Sequence, residues 1–174
     1  SSEAFIDRGI GNMSMGVKFG ETYTDYSQGP FRVTDNDYDV ALSGDGFFQI
    51  QFTNKQGETS VKLSRDGNFT VNVNGYLVTQ DGDFVLGADS NPIQIDPNSK
   101  SSIDATGRIT QNDVVVAQIG VVDVEDYNYI QKYGENMYDL LQGGVLTDSA
   151  AAVEQGCLEQ SNVQVVKEMV ENSI

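Results

Sequence analysis

The stretch NFTVNVNGYLVT, residues 68–79, constrains the fold more than any other part of the chain. Phe69, Val71 and Val73 alternate with Asn68, Thr70 and Asn72, the period of two that gives a strand one apolar face. Asn74-Gly75 then separates this run from a second apolar run, and both residues tolerate positive φ, so the segment predicts a β-hairpin turning at that pair. The same alternation appears in GFFQIQF, where Phe48, Ile50 and Phe52 are interleaved with Gln49 and Gln51.

Three short stretches share a signature: GDGFF at 44–48, RDGNF at 65–69 and QDGDF at 80–84. Asp45-Gly46, Asp66-Gly67 and Asp81-Gly82 are read as corners between antiparallel strands, since Asp bonds to nearby backbone and Gly supplies unusual dihedrals. A calcium loop does not fit the letters. Counting from Asp81, the positions that need an oxygen ligand, a glycine and a glutamate hold Val85, Leu86 and Pro92; counting from Asp66, the fifth and sixth hold Thr70 and Val71. The acidic run TDNDYD, residues 34–39, reads as a solvated turn, with a weak surface cation as the alternative. No metal site is assigned.

Farther along, Ile93, Ile95, Ile103 and Ile109 mark short β pieces punctuated by Pro92, Pro97 and Gly107. The nearly unbroken apolar run 114–122 predicts a central strand or a bent strand pair buried on both faces. The period then changes. Val163, Val166 and Val170 follow a helical spacing, and Ser161 with Gln164 matches a capping box, so a helix is expected from Ser161 or Asn162. Its pattern is still running at Ile174, as if cut from a longer helix.

Charge and reactive side chains exclude several functions. A formal charge of -16 repels phosphate backbones and anionic lipid, which argues against nucleic acid as a ligand. With no histidine and one cysteine, Cys157, the chain has no Ser-His-Asp triad, no Cys-His pair, no imidazole metal ligand and no internal disulfide. Cys157 is read as a small packing residue. Neither catalytic residues nor cofactors are assigned. No apolar run approaches the roughly 20 residues of a bilayer span. Nor do the first residues read as a signal peptide, so any export would use another route.

Four blocks together resemble a known family: YSQGPFRVTDNDYDVALSGDGFFQI, SRDGNFTVNVNGYLVTQDGDFVL, GENMYDLLQGG and QGCLEQSNVQVVKEMV. In this order they are similar to the flagellar basal-body rod and hook proteins, over most of the chain from about residue 17. The family's Leu-Asp-Leu-Ala-Ile and Gly-Asp-Gly-Phe-Phe blocks fall at 38–42 and 44–48, and its Arg-Asp-Gly corner at Arg65, Asp66 and Gly67. Its Gly-x-Leu-Val-Thr strand falls at 75–79, and Gly134, Asn136 and Tyr138 fit its Gly-x-Asn-x-Tyr signature. Gly156, Leu158, Glu159, Ser161, Asn162 and Val163 fit its approach to the C-terminal helix.

The resemblance implies a mainly β, antiparallel domain with a short C-terminal helix. It divides the chain into an N-terminal extension or linker at 1–16, a β-rich core at 17–156 and the start of a truncated coiled-coil helix at 157–174. Residues 1–16 do not match the family's long N-terminal helix, and Asn172 and Ser173 stand where apolar residues would be expected. It further implies a structural subunit of the flagellar rod that passes torque from motor to hook by helical self-assembly, exported by the flagellar type III system to an extracytoplasmic basal body. Its partners would be like subunits and neighbouring rod or hook proteins, with Val163, Val166 and Val170 as the assembly stripe, and the piece alone would be monomeric. The hook is the first alternative, disfavoured by size. A β-rich adhesin or carbohydrate-binding module, using the eight tyrosines for stacking, is a second. A hydrolase built on Asp39 and Asp45 ranks last, since nearness in sequence does not make two carboxylates face a substrate.

Overall fold

The computed structural model describes residues 26–161. These residues form short strands, every pairing between them antiparallel, and one turn of 3-10 helix at Tyr127–Tyr129. In chain order the strands are β1 (Phe31–Val33), β2 (Val40–Ser43), β3 (Phe47–Thr53), β4 (Thr59–Ser64), β5 (Phe69–Val71), β6 (Leu77–Thr79), β7 (Phe84–Val85) and β8 (Ser102–Ile103). They continue with β9 (Arg108–Gln111), β10 (Val114–Gln118), β11 (Val121–Val124), β12 (Ile130–Tyr133), β13 (Met137–Leu140), β14 (Leu146–Asp148), β15 (Ala152–Gln155) and β16 (Cys157–Glu159).

The largest sheet runs β12-β13-β4-β3-β7-β6-β5, with β11 added beside β3 and β14 beside β11. Its central strand, β3, is buried on both sides at its start. Phe48 and Ile50 point into the main core with Leu42, Phe69, Leu77 and Ile109. Phe47, one residue out of phase, points into a second cluster with Leu63, Val124 and Ile130. The alternation in GFFQIQF therefore records one of two buried faces. The second is completed by side chains of β11 and β13, strands paired to β3 and β4 in the same sheet, with Val124, Val122, Tyr138 and Leu140 gathered around Phe47.

The hairpin of residues 68–79 forms, with Phe69 opposite Thr79 and Val71 opposite Leu77. Its turn differs from a two-residue turn at Asn74-Gly75. The Asn72 N–H donates to the Tyr76 carbonyl, and the Gly75 N–H donates to the Asn72 carbonyl, closing a three-residue loop with Gly75 at φ 85. Only Gly75 takes the left-handed conformation at that pair. The loop carries Val73 out of the strand, and it is 94% exposed, whereas the alternation had put it on the buried face.

The same pair of backbone bonds recurs at 54–58, 79–83, 87–91 and 104–108. At three of these corners one side-chain oxygen, from Asn54, Asn72 or Asp104, accepts from the N–H groups two and four residues on. The repeated unit is thus Asn, Asp or Thr followed three residues later by Gly, as in Asn54/Gly57, Asn72/Gly75, Thr79/Gly82 and Asp104/Gly107. Asp81-Gly82 belongs to this class. Asp66-Gly67 does not: a Cβ on Gly67 would sit 1.8 Å from the Val40 carbonyl oxygen, so glycine is there to let two backbones touch.

The run 114–122 folds as a bent pair, β10 and β11, broken at Ile119-Gly120. It is not buried throughout. β10 is the edge of a three-stranded sheet, β10-β9-β8, and Val114, Val115 and Val116 are 59, 58 and 41% exposed. A register shift at Ile109/Thr110 leaves Val116 without a partner residue across the pair, so burial resumes only toward Ile119. The two ends of the described chain are also paired, β15 on β2 and β16 on β1. Residues 157–159, grouped by the sequence with a terminal helix, are strand here because β1 supplies their hydrogen-bond partner. The helix expected from Ser161 or Asn162, its stripe Val163, Val166 and Val170, and the extension at 1–16 lie outside the described residues.

Candidate functional site

Where chain enters and leaves the β body, backbone and side chains form a network of polar bonds. β1 and β16 run antiparallel with Phe31 opposite Glu159 and Val33 opposite Cys157, so the incoming and outgoing backbones lie side by side. Beyond the strands the pairing continues, the Gln160 N–H donating to the Pro30 carbonyl at 2.7 Å. At the inner end the N–H groups of Thr34 and Asp35 both donate to the Gly156 carbonyl, at 2.8 and 3.1 Å.

Arg65, just after β4, ties this pair to the body. Its Nε and Nη2 lie 2.9 and 2.8 Å from Glu159 Oε1. Nη1 donates to the carbonyls of Gly44 and Gly46 at 2.8 and 2.9 Å, and Nη2 to that of Leu42 at 3.2 Å. The other carboxylate oxygen, Glu159 Oε2, accepts from the Gly29 N–H at 2.8 Å. One residue earlier, Gln28 Oε1 accepts from the Gly44 N–H at 2.8 Å. The bonds close a ring: Gln28 to Gly44, Gly44 to Arg65, Arg65 to Glu159, and Glu159 to Gly29, the peptide neighbour of Gln28.

The Arg65 and Glu159 side chains are only 23 and 11% exposed, so the pair is shielded from water and its remaining donors are satisfied by carbonyls. The loop that Arg65 grips has its own reason for glycine. Gly46, at φ 154, lies under Ser149, whose hydroxyl donates to the Asp45 carbonyl at 2.6 Å. Asp45 and Gly46 thus form a bend pinned from two sides.

An aromatic group seats the incoming segment on the second core. Tyr26 meets Tyr127 edge-on at 5.2 Å between centroids and Tyr138 at 5.9 Å, and both of those rings pack on Phe47. The Tyr127 hydroxyl donates to Asp123 Oδ1 at 2.7 Å. Burial, then the bond to the Asp123 carboxylate, pushes that phenol well above its ordinary range. Burial also raises Tyr138.

The acidic run has a different setting. Asp35, Asp37 and Asp39 line an open cleft of about 630 Å³ with Asn68, Thr70 and Lys100, whose Nζ is 3.5 Å from Asp37 Oδ2. Asp39 is 3% exposed and its Oδ2 accepts from Asn36 Nδ2, whereas Asp45 is exposed on another loop. Among the described residues no group of three or more acidic or cysteine side chains is placed to hold a metal. Cys157 is half-buried on β16.

Sequence reading placed Arg65 in a corner and Glu159 before a helix without joining them. Gly29 and Glu159 are 130 residues apart, and no local period could signal a contact of that range. The Gln28 bond to the Gly44 N–H likewise joins residues that no local period links.

A sequence model of the flagellar hook protein FlgE/F/G D1 domain matches residues 41–111. The flagellar basal-body rod protein FlgF of Caulobacter vibrioides is 38% identical over 148 residues, which cover 83% of this chain and 58% of that protein. FlgF of Mesorhizobium japonicum is 33% identical over 171 residues, covering 95% of this chain and 69% of that protein. FlgG of Bacillus subtilis is 31% identical over 175 residues, covering 91% and 64%. The chain therefore spans about three fifths to two thirds of the length of these relatives.

Proposed function

The chain belongs to the flagellar hook and basal-body rod protein family, and from that premise we propose that it is a structural subunit of the flagellar rod. The single observation that carries the reading is the adjacency of its two ends. Chain enters at Gly29 and leaves at Gln160 through one strand pair, so segments on either side of the body start from one point and can pack on each other. A filament needs such a division of labour: contacts that repeat without closing, carried by one part, and a stiff body carried by another. The relatives described above are named as rod proteins, which favours rod over hook.

In this reading the stripe Val163, Val166 and Val170 forms one face of a coiled-coil seam with a partner helix. The subunit reaches the basal body through the flagellar export apparatus, stands outside the cytoplasm, and has like subunits and rod or hook neighbours as partners. It performs no chemistry. In this reading the 174-residue chain by itself is monomeric.

The experiment is a clean deletion of the gene followed by complementation. Cells lacking it should build no external hook or filament and should not swim, and a tagged copy should co-purify with hook and basal-body complexes. Recovery of the tagged protein only in the cytoplasm, or normal swimming of the deletion strain, would discard the rod assignment.

A further inference from the structure

We infer that the ring Gln28–Gly44–Arg65–Glu159–Gly29 is the joint that fixes the direction in which both flanking segments leave the β body. The inference rests on the rod reading and adds to it the residues through which torque would cross from the β1–β16 pair, the stem, to the body. β1 and β16 have three residues each and form no part of the large sheet. A pair that short is marginal by itself and free to swing about the backbone that leads into it. Bonds to the body must hold it.

The ring supplies those bonds at both backbones. Glu159 on the outgoing strand holds the incoming Gly29 with one oxygen and the body's Arg65 with the other. Gln28 holds the loop that Arg65 also holds. Arginine suits the node because its planar fork can bind a carboxylate and several carbonyls in fixed directions, which a lysine point charge cannot do. Glu159 and Gln28 are positioning residues: they act on the stem's angle, and neither lies within the hydrophobic clusters.

Two substitutions separate a joint from a general stabiliser. Glu159→Gln leaves Arg65 on its three carbonyls, but an amide has one acceptor oxygen and cannot serve both Arg65 and Gly29. Gln28→Ala opens the ring on its other side and leaves the Gly44 N–H to water. In the 174-residue chain, amide exchange at Gly29 and Gln160 should rise at least about tenfold in either variant. Exchange at core amides such as Ile50 and Leu63 should stay within about twofold. The same substitutions in the complete gene product should permit flagella to assemble, with swimming speed falling more steeply than in the parent as viscosity rises.

Unchanged exchange at Gly29 and Gln160 would overturn the joint. So would a parallel rise at the core amides, which would make the ring a stabiliser of the whole body, or raised exchange at the stem with swimming indistinguishable from the parent at every viscosity. Failure of the rod reading itself would show separately, as a parent protein that does not complement the deletion.

Discussion

Glycine does two different jobs in this chain, and single substitutions tell them apart. Gly67 admits the Val40 carbonyl, so Gly67→Ala must push two strands apart and should cost about 3 kcal/mol or more, read as a shift in urea midpoint. Gly82 sits at φ 89 in open space, so Gly82→Ala adds only left-handed strain, about 1–2 kcal/mol. Equal losses at the two sites would contradict this division. The corner carboxylates make a second prediction. Asp104 is held below its ordinary value of 3.8, first by the Thr106 hydroxyl that donates to it, and Asp89 and Asp96 are lowered by bonds from Asn91 and Asn98. A carboxylate lowered in the folded state contributes stability that is complete above its unfolded pKa and disappears as pH falls through its folded pKa. Asp104→Asn keeps the corner's acceptor oxygen, as Asn54 and Asn72 do at theirs, and removes the titration. Its urea midpoint should therefore depend less on pH below about 3.8 than the parent's does, the parent being the more stable of the two at pH 7 and the difference closing in acid.

Strands and corners show where local pattern is sufficient and where it is not. The hairpin of residues 68–79 was legible from the strand period and Asn74-Gly75, but its three-residue loop closed by the Asn72 side-chain oxygen was not, because that oxygen's role depends on the backbone bonds made around it. The strand at 114–118 was legible as a strand and misread as interior. Apolarity alone does not reveal whether a neighbour arrives on each side, and here β10 receives β9 on one edge while Val114 to Val116 face outward. An exposed apolar edge adds little to stability and invites association of partly unfolded chains. Val115→Lys should hence leave the melting temperature of the chain nearly unchanged, within about 0.5 kcal/mol in stability, and slow aggregation on heating. A large loss of stability would mean that this valine is packed more tightly than its 58% exposure indicates.

At the scale of the whole molecule the two described ends return to one place, and the assembly prediction belongs here. Under the proposed assembly reading, Val166→Asp with Val170→Asp in the complete protein should abolish swimming, because charge in the proposed coiled-coil seam would be desolvated without a partner. The β body should melt as in the parent, since its cores are built from residues 40–153. Normal motility in that double variant would remove the helix from the account of assembly.

Sequence alone determined what depends on neighbours a few positions away. Strand period, the corners with their Asn, Asp and glycine spacing, and the absence of histidine-based chemistry all follow from local covalent geometry and side-chain type. Tertiary structure alone decided which apolar faces are covered: Phe47 is buried among Leu63, Val124 and Ile130, brought together from three other strands, whereas Val115 on the edge strand β10 is 58% exposed. It also decided that Arg65, Glu159 and Gln28 share one ring. Such contacts join residues up to 130 positions apart, and closing the chain over that distance is an outcome of the packed cores, with no period or spacing in the sequence to mark it.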